Sequence, residues 1–151
     1  MLSTLQERAI KAPLKSRTKR DVIAELVSVL ADLSLISDKD LALNDVLKRE
    51  YEQSTGLEKG VAVPHAKTHG VSDLVMAVGI SPQGVDFGAF DGQPSRIFFL
   101  ILCPPDRPDK HIKALEEIAF LVSNEDFLNS VLKKSDSSAV LSELKKYERK
   151  A

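Results

Sequence analysis

Seven consecutive residues, Ile97-Phe98-Phe99-Leu100-Ile101-Leu102-Cys103, are apolar, and Pro104-Pro105 closes the run. Side chains of a strand point alternately to opposite faces, so a strand of this sequence is apolar on both and must be covered on both. The run is far shorter than the roughly 20 residues needed to cross a bilayer, so no membrane insertion is expected. It reads as the central strand of a sheet enclosed by other elements. A chain of 151 residues can supply that cover: at this length folding buries roughly two-thirds of the surface of the unfolded chain, enough for one core.

Two further runs have strand character, Val61-Ala62-Val63 and Leu74 to Ile80, each rich in β-branched residues and bounded by Gly, Pro, Asp or Ser. Ser81-Pro82-Gln83-Gly84 and Asp91-Gly92-Gln93-Pro94 read as turns, with Val85, Phe87 and Phe90 in a short strand or bend between them. Amphipathic helices are expected on either side of this block. Thr18 caps a helix with an apolar stripe of Val22, Leu26, Val29, Leu30 and Leu33, and Asp38 caps one with Leu41, Val46, Leu47 and Tyr51 that ends before Gly56. Beyond the central strand come a helix capped by Asp109 with Ile112, Leu115, Ile118, Ala119 and Val122, one capped by Asn124 with Phe127, Val131 and Leu132, and one capped by Ser137 or Ser138 with Val140, Leu141 and Leu144. Lys145 to Ala151 are expected to fray. Strands flanked by amphipathic helices imply an α/β or α+β domain, one sheet covered by helices, with no repeat and no interdomain linker.

Charge excludes one class of function. Lys+Arg 21 against Asp+Glu 22 gives a net charge of -1, so no nucleic-acid partner is expected from charge. Met1-Leu2-Ser3-Thr4 lacks the basic segment and long apolar stretch of a secretory signal, which leads us to expect a cytoplasmic chain. Cys103, the only cysteine, falls at the end of the apolar run and is expected to be a buried small hydrophobe.

Chemistry is concentrated in the histidines, His65, His69 and His111. His65 follows Pro64 at the end of a strand, where a sheet can hold the ring and a partner can reach it. Neutral imidazole is a nucleophile near pH 7, and the phosphoramidate it forms is labile enough to be passed on. His111, in Pro108-Asp109-Lys110-His111-Ile112, lies at a helix start, where unpaired N–H groups favour an anion and disfavour an imidazolium. Arg49, near the end of the second helix, can bind two phosphoryl oxygens at once, and Thr55 and Gly56 just beyond can add a hydroxyl or backbone donor. Structural readings stand beside these: a histidine after a strand can be a surface residue, and an arginine at a helix end can cap carbonyls.

Order and spacing favour the chemical reading. Arg49-Glu50 followed by Ser54-Thr55-Gly56-Leu57-Glu58-Lys59-Gly60-Val61-Ala62-Val63-Pro64-His65-Ala66-Lys67 resembles the active-site signature of enzyme IIA domains of the phosphoenolpyruvate-dependent sugar phosphotransferase system. The class is the fructose/mannitol (type 2) one, which includes the stand-alone nitrogen-regulatory proteins. Gly84-Val85-Asp86-Phe87, Asp91-Gly92-Gln93-Pro94, Phe98-Phe99-Leu100-Ile101 and His111-Ile112-Lys113-Ala114-Leu115 follow the same pattern in the same order, so the likeness runs from about Thr18 to Leu144. The resemblance implies a single α/β domain over residues 1–151, its core about 18–144, with a mixed β-sheet sandwiched between α-helices. It implies a phosphotransferase whose His65 takes phosphate from the histidine-containing phosphocarrier protein, with His111 as second active-site histidine and Arg49 as phosphate-stabilising arginine. No metal or organic cofactor is implied. Met1 to Arg17 departs from the pattern in being short and basic, with Lys11, Lys15, Arg17, Lys19 and Arg20 close together.

Three functions are open at this stage. Phospho-His65 can donate to a sugar-specific enzyme IIB during fructose/mannitol-type uptake, or its phosphorylation state can control a regulatory target protein. The lack of a fused enzyme IIB or membrane domain points to a stand-alone subunit in either role, and favours the regulator; the wording of His65-Ala66-Lys67-Thr68 and Asp91-Gly92-Gln93-Pro94 is nearer fructose-type domains. The third is a metal-dependent hydrolase built on the three histidines. His65 and His69 have the spacing of paired ligands on a helix, but Pro64 and Gly70 bracket them and no glutamate follows His65, which weakens that reading. Lys67 can add positive charge near the phosphoryl group, His69 reads as a surface residue, and exposed apolar residues are expected around His65.

Overall fold

The fold is seen in a computed structural model that describes Leu2 and residues 5–148. The apolar run forms β5 (Ser95–Cys103), and every residue from Ile97 to Cys103 is 0% exposed, so both faces are covered as expected. On one side β5 pairs antiparallel with β4 (Val75–Val85), which pairs parallel with the two-residue β1 (Ile10–Lys11). On the other side lie β2 (Val61–Ala62) and β3 (His65–Lys67), both parallel to β5. The sheet is therefore mixed. β2 and β3 are one interrupted strand, because Val61↔Ile97, Ala62↔Phe98 and His65↔Ile101 keep a constant register. The interruption falls at Pro64, which has no N–H and is tolerated at a sheet edge; its carbonyl still accepts from Ile101 N–H at 3.0 Å.

Helices α1 (Lys19–Asp32), α2 (Lys39–Glu52) and α3 (Pro108–Val122) pack against these strands, followed by α4 (Glu125–Val131) and α5 (Ser137–Tyr147). Three caps are where local chemistry puts them: Thr18 accepts from Asp21 N–H, Asp38 from Leu41 N–H, and Asn124 from Asp126 and Phe127 N–H. Two differ. Asp136, not Ser137 or Ser138, caps α5, and the Ser137 hydroxyl donates instead to the Ile10 carbonyl. Asp109 lies inside α3, which starts at Pro108 with Arg107 before it and no side-chain cap.

Several apolar stripes are rotated from expectation. In α1 the buried set is Val22, Ile23, Leu26, Val27 and Leu30, with Val29 and Leu33 half-buried at the edge. In α2, Ala42, Val46, Leu47 and Glu50 face inward, while Leu41 and Tyr51 are exposed. In α3 the inward set is His111, Ala114, Ile118 and Leu121, one residue out of phase from the expected stripe, which leaves Ile112 exposed and Ala119 at the surface. α4 buries Phe127, Leu128 and Val131; α5 buries Val140 and Leu144 and leaves Leu141 half-buried.

Ser81 to Gly84 is no turn. β4 runs through it with a break in register between Ile80 and Val85, an irregularity eased by Gly84 at φ 83, where a side chain would be strained. Phe87 is fully buried against Phe98, whereas Phe90 is 84% exposed. The basic opening holds structure of its own, a 3-10 turn (Glu7–Ala9) and β1, with Leu14 N–H bonded to the Ile80 carbonyl. Lys145 to Tyr147 are helical, and Tyr147 stacks edge-on against Phe127 rather than fraying. The expectations for Met1, Ser3 and Thr4 and for Arg149 to Ala151 lie outside the described residues.

Candidate functional site

His65 opens β3 just after the break at Pro64, so its ring leaves the edge of the sheet rather than its end. It shares a face of β3 with exposed Lys67, while Ala66 points into the core. The ring is half-buried, and its Nδ1 lies 2.7 Å from the Val63 carbonyl oxygen. A carbonyl can only accept, so Nδ1 carries the proton and Nε2 keeps the lone pair. Burial pushes the His65 pKa below its ordinary 6.5, and the Arg49 charge adds to this; the Val63 bond and the Glu50 charge oppose it. The ring is thereby kept neutral and nucleophilic at neutral pH.

His111 meets it directly. The two ring centroids are 5.3 Å apart at 83°, an edge-to-face contact. His111 is 6% exposed, and its buried Nδ1 has no hydrogen-bond partner among the described residues. Its pKa is also lowered, first by burial and then by His65 and Lys67. The expected anion site made of backbone donors is not what brings it there. His111 lies a turn inside α3, its own N–H bonds the Arg107 carbonyl at 3.2 Å, and the first residue of the helix is a proline.

Arg49, on the last turn of α2, is half-buried, and its Nη1 donates to the Gln53 carbonyl at 2.8 Å. It thus caps its own helix, as the structural reading had it, and in doing so is held beside His65. One guanidinium has five N–H donors, so the cap leaves most of the fork uncommitted by that bond. Arg49, Lys48, Lys67 and both imidazoles line a cleft of about 450 Å³, with Asp45 and Glu52 on its α2 wall. A second cavity of about 260 Å³ shares Arg49 and His65 and is walled by Leu57, Val63, Leu115 and Ile118. Exposed apolar side chains surround this region in sequence: Tyr51 after Arg49, Ile112 after His111, and Leu57 in the second cavity.

Thr55 and Gly56 do not offer their donors to the cleft. The Thr55 N–H and hydroxyl are both bonded to Glu50, at 2.7 and 2.6 Å, and Gly56 N–H bonds the Ser54 hydroxyl at 3.0 Å. Glu50, quoted in the signature but given no role there, is the residue that holds both Thr55 donors. It lies four residues after Val46 and three after Leu47, on the buried face of α2, and a charge at an apolar phase is the signal that could have found it.

His69 is exposed in the turn after β3. The extended backbone from His65 to Lys67 removes the helical spacing that a pair of metal ligands would have used. Among the described residues, no group of three or more His, Cys, Asp and Glu is arranged to hold a metal ion. Cys103 is buried, its thiol donating to the Arg107 carbonyl at 3.3 Å, and burial pushes its pKa up. No helix among the described residues is long and apolar enough to cross a membrane.

Comparison with known proteins gives this geometry a family. Residues 3–147 match the family described as phosphoenolpyruvate-dependent sugar phosphotransferase system, EIIA 2. The chain is 31% identical over 145 residues to the PTS system fructose-specific EIIABC component of Bacillus subtilis, covering 96% of this chain but only 23% of that longer protein. It is 33% identical over 123 residues to the PTS system fructose-specific EIIA component of Haloferax volcanii, covering 82% of this chain and 80% of the relative. Its fold superposes on the crystal structure of nitrogen regulatory protein IIA-Ntr from Neisseria meningitidis with a TM-score of 0.84. That match has 26% identity and covers 95% of this chain and 97% of the other.

Proposed function

We propose that this chain, which belongs to the phosphoenolpyruvate-dependent sugar phosphotransferase system EIIA 2 family and is thus a phosphotransfer component, carries its phosphoryl group on Nε2 of His65. The observation that carries the assignment is the 2.7 Å contact between His65 Nδ1 and the Val63 carbonyl, which leaves Nε2 as the ring's nucleophile. The donor is the histidine-containing phosphocarrier protein. The Nε2 lone pair forms the new bond to phosphorus as the donor's P–N bond breaks, and that electron pair returns to the departing imidazole. Nδ1 keeps its proton, donated to the Val63 carbonyl, so the phosphorylated ring bears a positive charge, offset by the phosphoryl oxygens. That charge makes the ring a good leaving group for the next transfer.

Arg49 is the stabilising cation: its fork, aligned by the cap on Gln53, meets the equatorial oxygens on which charge is spread during transfer. His111 fixes the His65 ring by its edge contact and, being held neutral, adds no competing positive charge to the nucleophile. The apolar surface of Leu57 and Ile112 suits a short-lived protein interface.

The acceptor is an enzyme IIB of the fructose type, a reading supported by the fructose-specific relatives. The likeness to a nitrogen regulatory protein supports a second reading, in which the phosphorylation state of the chain controls a partner. Incubation with phosphoenolpyruvate, enzyme I and the phosphocarrier protein is expected to label the chain once, through an acid-labile bond, and His65→Ala is expected to take up no label. Undiminished labelling of His65→Ala would overturn the assignment. Adding a fructose-type enzyme IIB then separates the two readings: the label drains in the first and persists in the second.

A further inference from the structure

Glu50 is 4% exposed, yet both of its carboxylate oxygens are hydrogen-bonded. Its Oε2 accepts from Lys19 Nζ at 2.9 Å and from the Thr55 N–H at 2.7 Å, while Oε1 accepts from the Thr55 hydroxyl at 2.6 Å. The bonds continue beyond Thr55. Its carbonyl accepts from Val63 N–H at 3.1 Å, and the Val63 carbonyl accepts from His65 Nδ1 at 2.7 Å. An unbroken line of hydrogen bonds therefore runs from Lys19 through Glu50, Thr55 and Val63 to the His65 ring.

The line passes through the break between β2 and β3. Val63 and Pro64 fall between β2 and β3; the Val63 N–H bonds Thr55 on the side away from β5, and the Val63–Pro64 peptide has no N–H to give the β5 ladder. The peptide group that holds the His65 ring is thus placed by a loop residue rather than by the ladder. A loop is a poor jig unless something fixes it, and two bonds from one buried carboxylate to one residue do so. The loop keeps a second attachment at the Gly56↔Ala62 bridge, so loss of Glu50 leaves it tethered but mis-set.

We propose that Glu50 and Thr55 are positioning residues that, through Val63, fix the plane and tautomer of the His65 ring and so decide which nitrogen meets the phosphoryl group. This deepens the carrier reading of His65 and rests on it. The role differs from general support of the fold in acting on one ring.

The test uses the whole chain and three variants. Thr55→Val removes the hydroxyl but keeps shape and N–H, Glu50→Gln removes the charge and one acceptor, and Thr55→Ser keeps the hydroxyl. Ring ¹⁵N shifts of His65 at neutral pH are expected to show the Nδ1–H tautomer in wild type and in Thr55→Ser. Both Thr55→Val and Glu50→Gln are expected to populate the Nε2–H form. In phosphoryl uptake from the phosphorylated phosphocarrier protein, kcat falls about 10- to 100-fold in those two variants, as expected of a misplaced reacting group. KM for the donor stays within about twofold, because the docking surface is untouched. Should Glu50→Gln fail to fold, Thr55→Val alone decides. Unchanged ring shifts and kcat in Thr55→Val, or a Thr55→Ser as impaired as Thr55→Val, would overturn the proposal. The two claims fail separately: ring shifts report positioning without any phosphoryl group, whereas a wild-type chain that takes no label removes only the carrier reading.

Discussion

β5 has very different neighbours on its two sides. Toward β4 the antiparallel ladder is continuous from Val75↔Leu102 to Ile80↔Ile97, and it sits among fully buried side chains. Toward the other edge, β2 and β3 contribute five residues in two pieces, separated by Val63 and Pro64, and the gap is bridged by bonds to a loop and a buried carboxylate. The first side supplies rigidity that asks nothing of individual polar groups. The second lacks the ladder bond that Pro64 has no N–H to make, and the carbonyl of the same peptide, that of Val63, faces away from β5 and accepts from His65 Nδ1. The His65 ring thus stands where the sheet is locally incomplete but backed by a strand buried on both faces.

Breaking the first side should give the largest effect. Phe99 is fully buried in β5, and Phe99→Ala is expected to cost about 3–5 kcal/mol of folding stability in denaturant unfolding. A cost below about 1 kcal/mol would mean that the strand is not the keystone described. On the second side, function rather than stability should suffer. Arg49→Lys keeps a charge but loses the planar fork, and phosphoryl uptake is expected to slow about 100-fold, about 2.7 kcal/mol on the barrier. Stability should change little, since Arg49 is only half-buried; a large loss of stability would move the residue to the structural side of the comparison.

The smallest effect is a pH dependence confined to the second side. Burial holds both His65 and His111 below 6.5 in the folded chain, so between that value and the lowered ones the unfolded chain binds more protons. Stability is therefore expected to fall as pH drops through 6.5, and to stop falling on this account once the lowered values are passed. His111→Gln should shallow that slope. An equal slope in mutant and wild type would show that His111 does not titrate as its setting requires.

Legibility in the sequence divided along the same line. The central strand announced itself by seven apolar residues, and the caps Thr18, Asp38 and Asn124 by chemistry confined to one turn. The three residues singled out for chemistry, His65, His111 and Arg49, lie far apart in the chain, and the structure brings them to one cleft. What escaped was set by contacts distant in the chain. Ser81 to Gly84 has turn composition but continues as strand because β5 pairs with its flanks. The phase of α3 follows His111, a polar residue buried by its contact with His65, which no apolar stripe would reveal. Thr55 looked like a free donor because Glu50, five residues earlier, was given no role, and its place on the inner face of α2 is set by tertiary packing.

The central claim is that the phosphoryl group sits on Nε2 of His65. A ³¹P–¹⁵N correlation spectrum of the chain, labelled at its histidine nitrogens and phosphorylated through the phosphocarrier protein, reads this directly. A single phosphoramidate signal coupled to Nε2 of His65, with Nδ1 still protonated, is the expected result. Coupling to Nδ1 of His65, or to a nitrogen of His69 or His111, would contradict it.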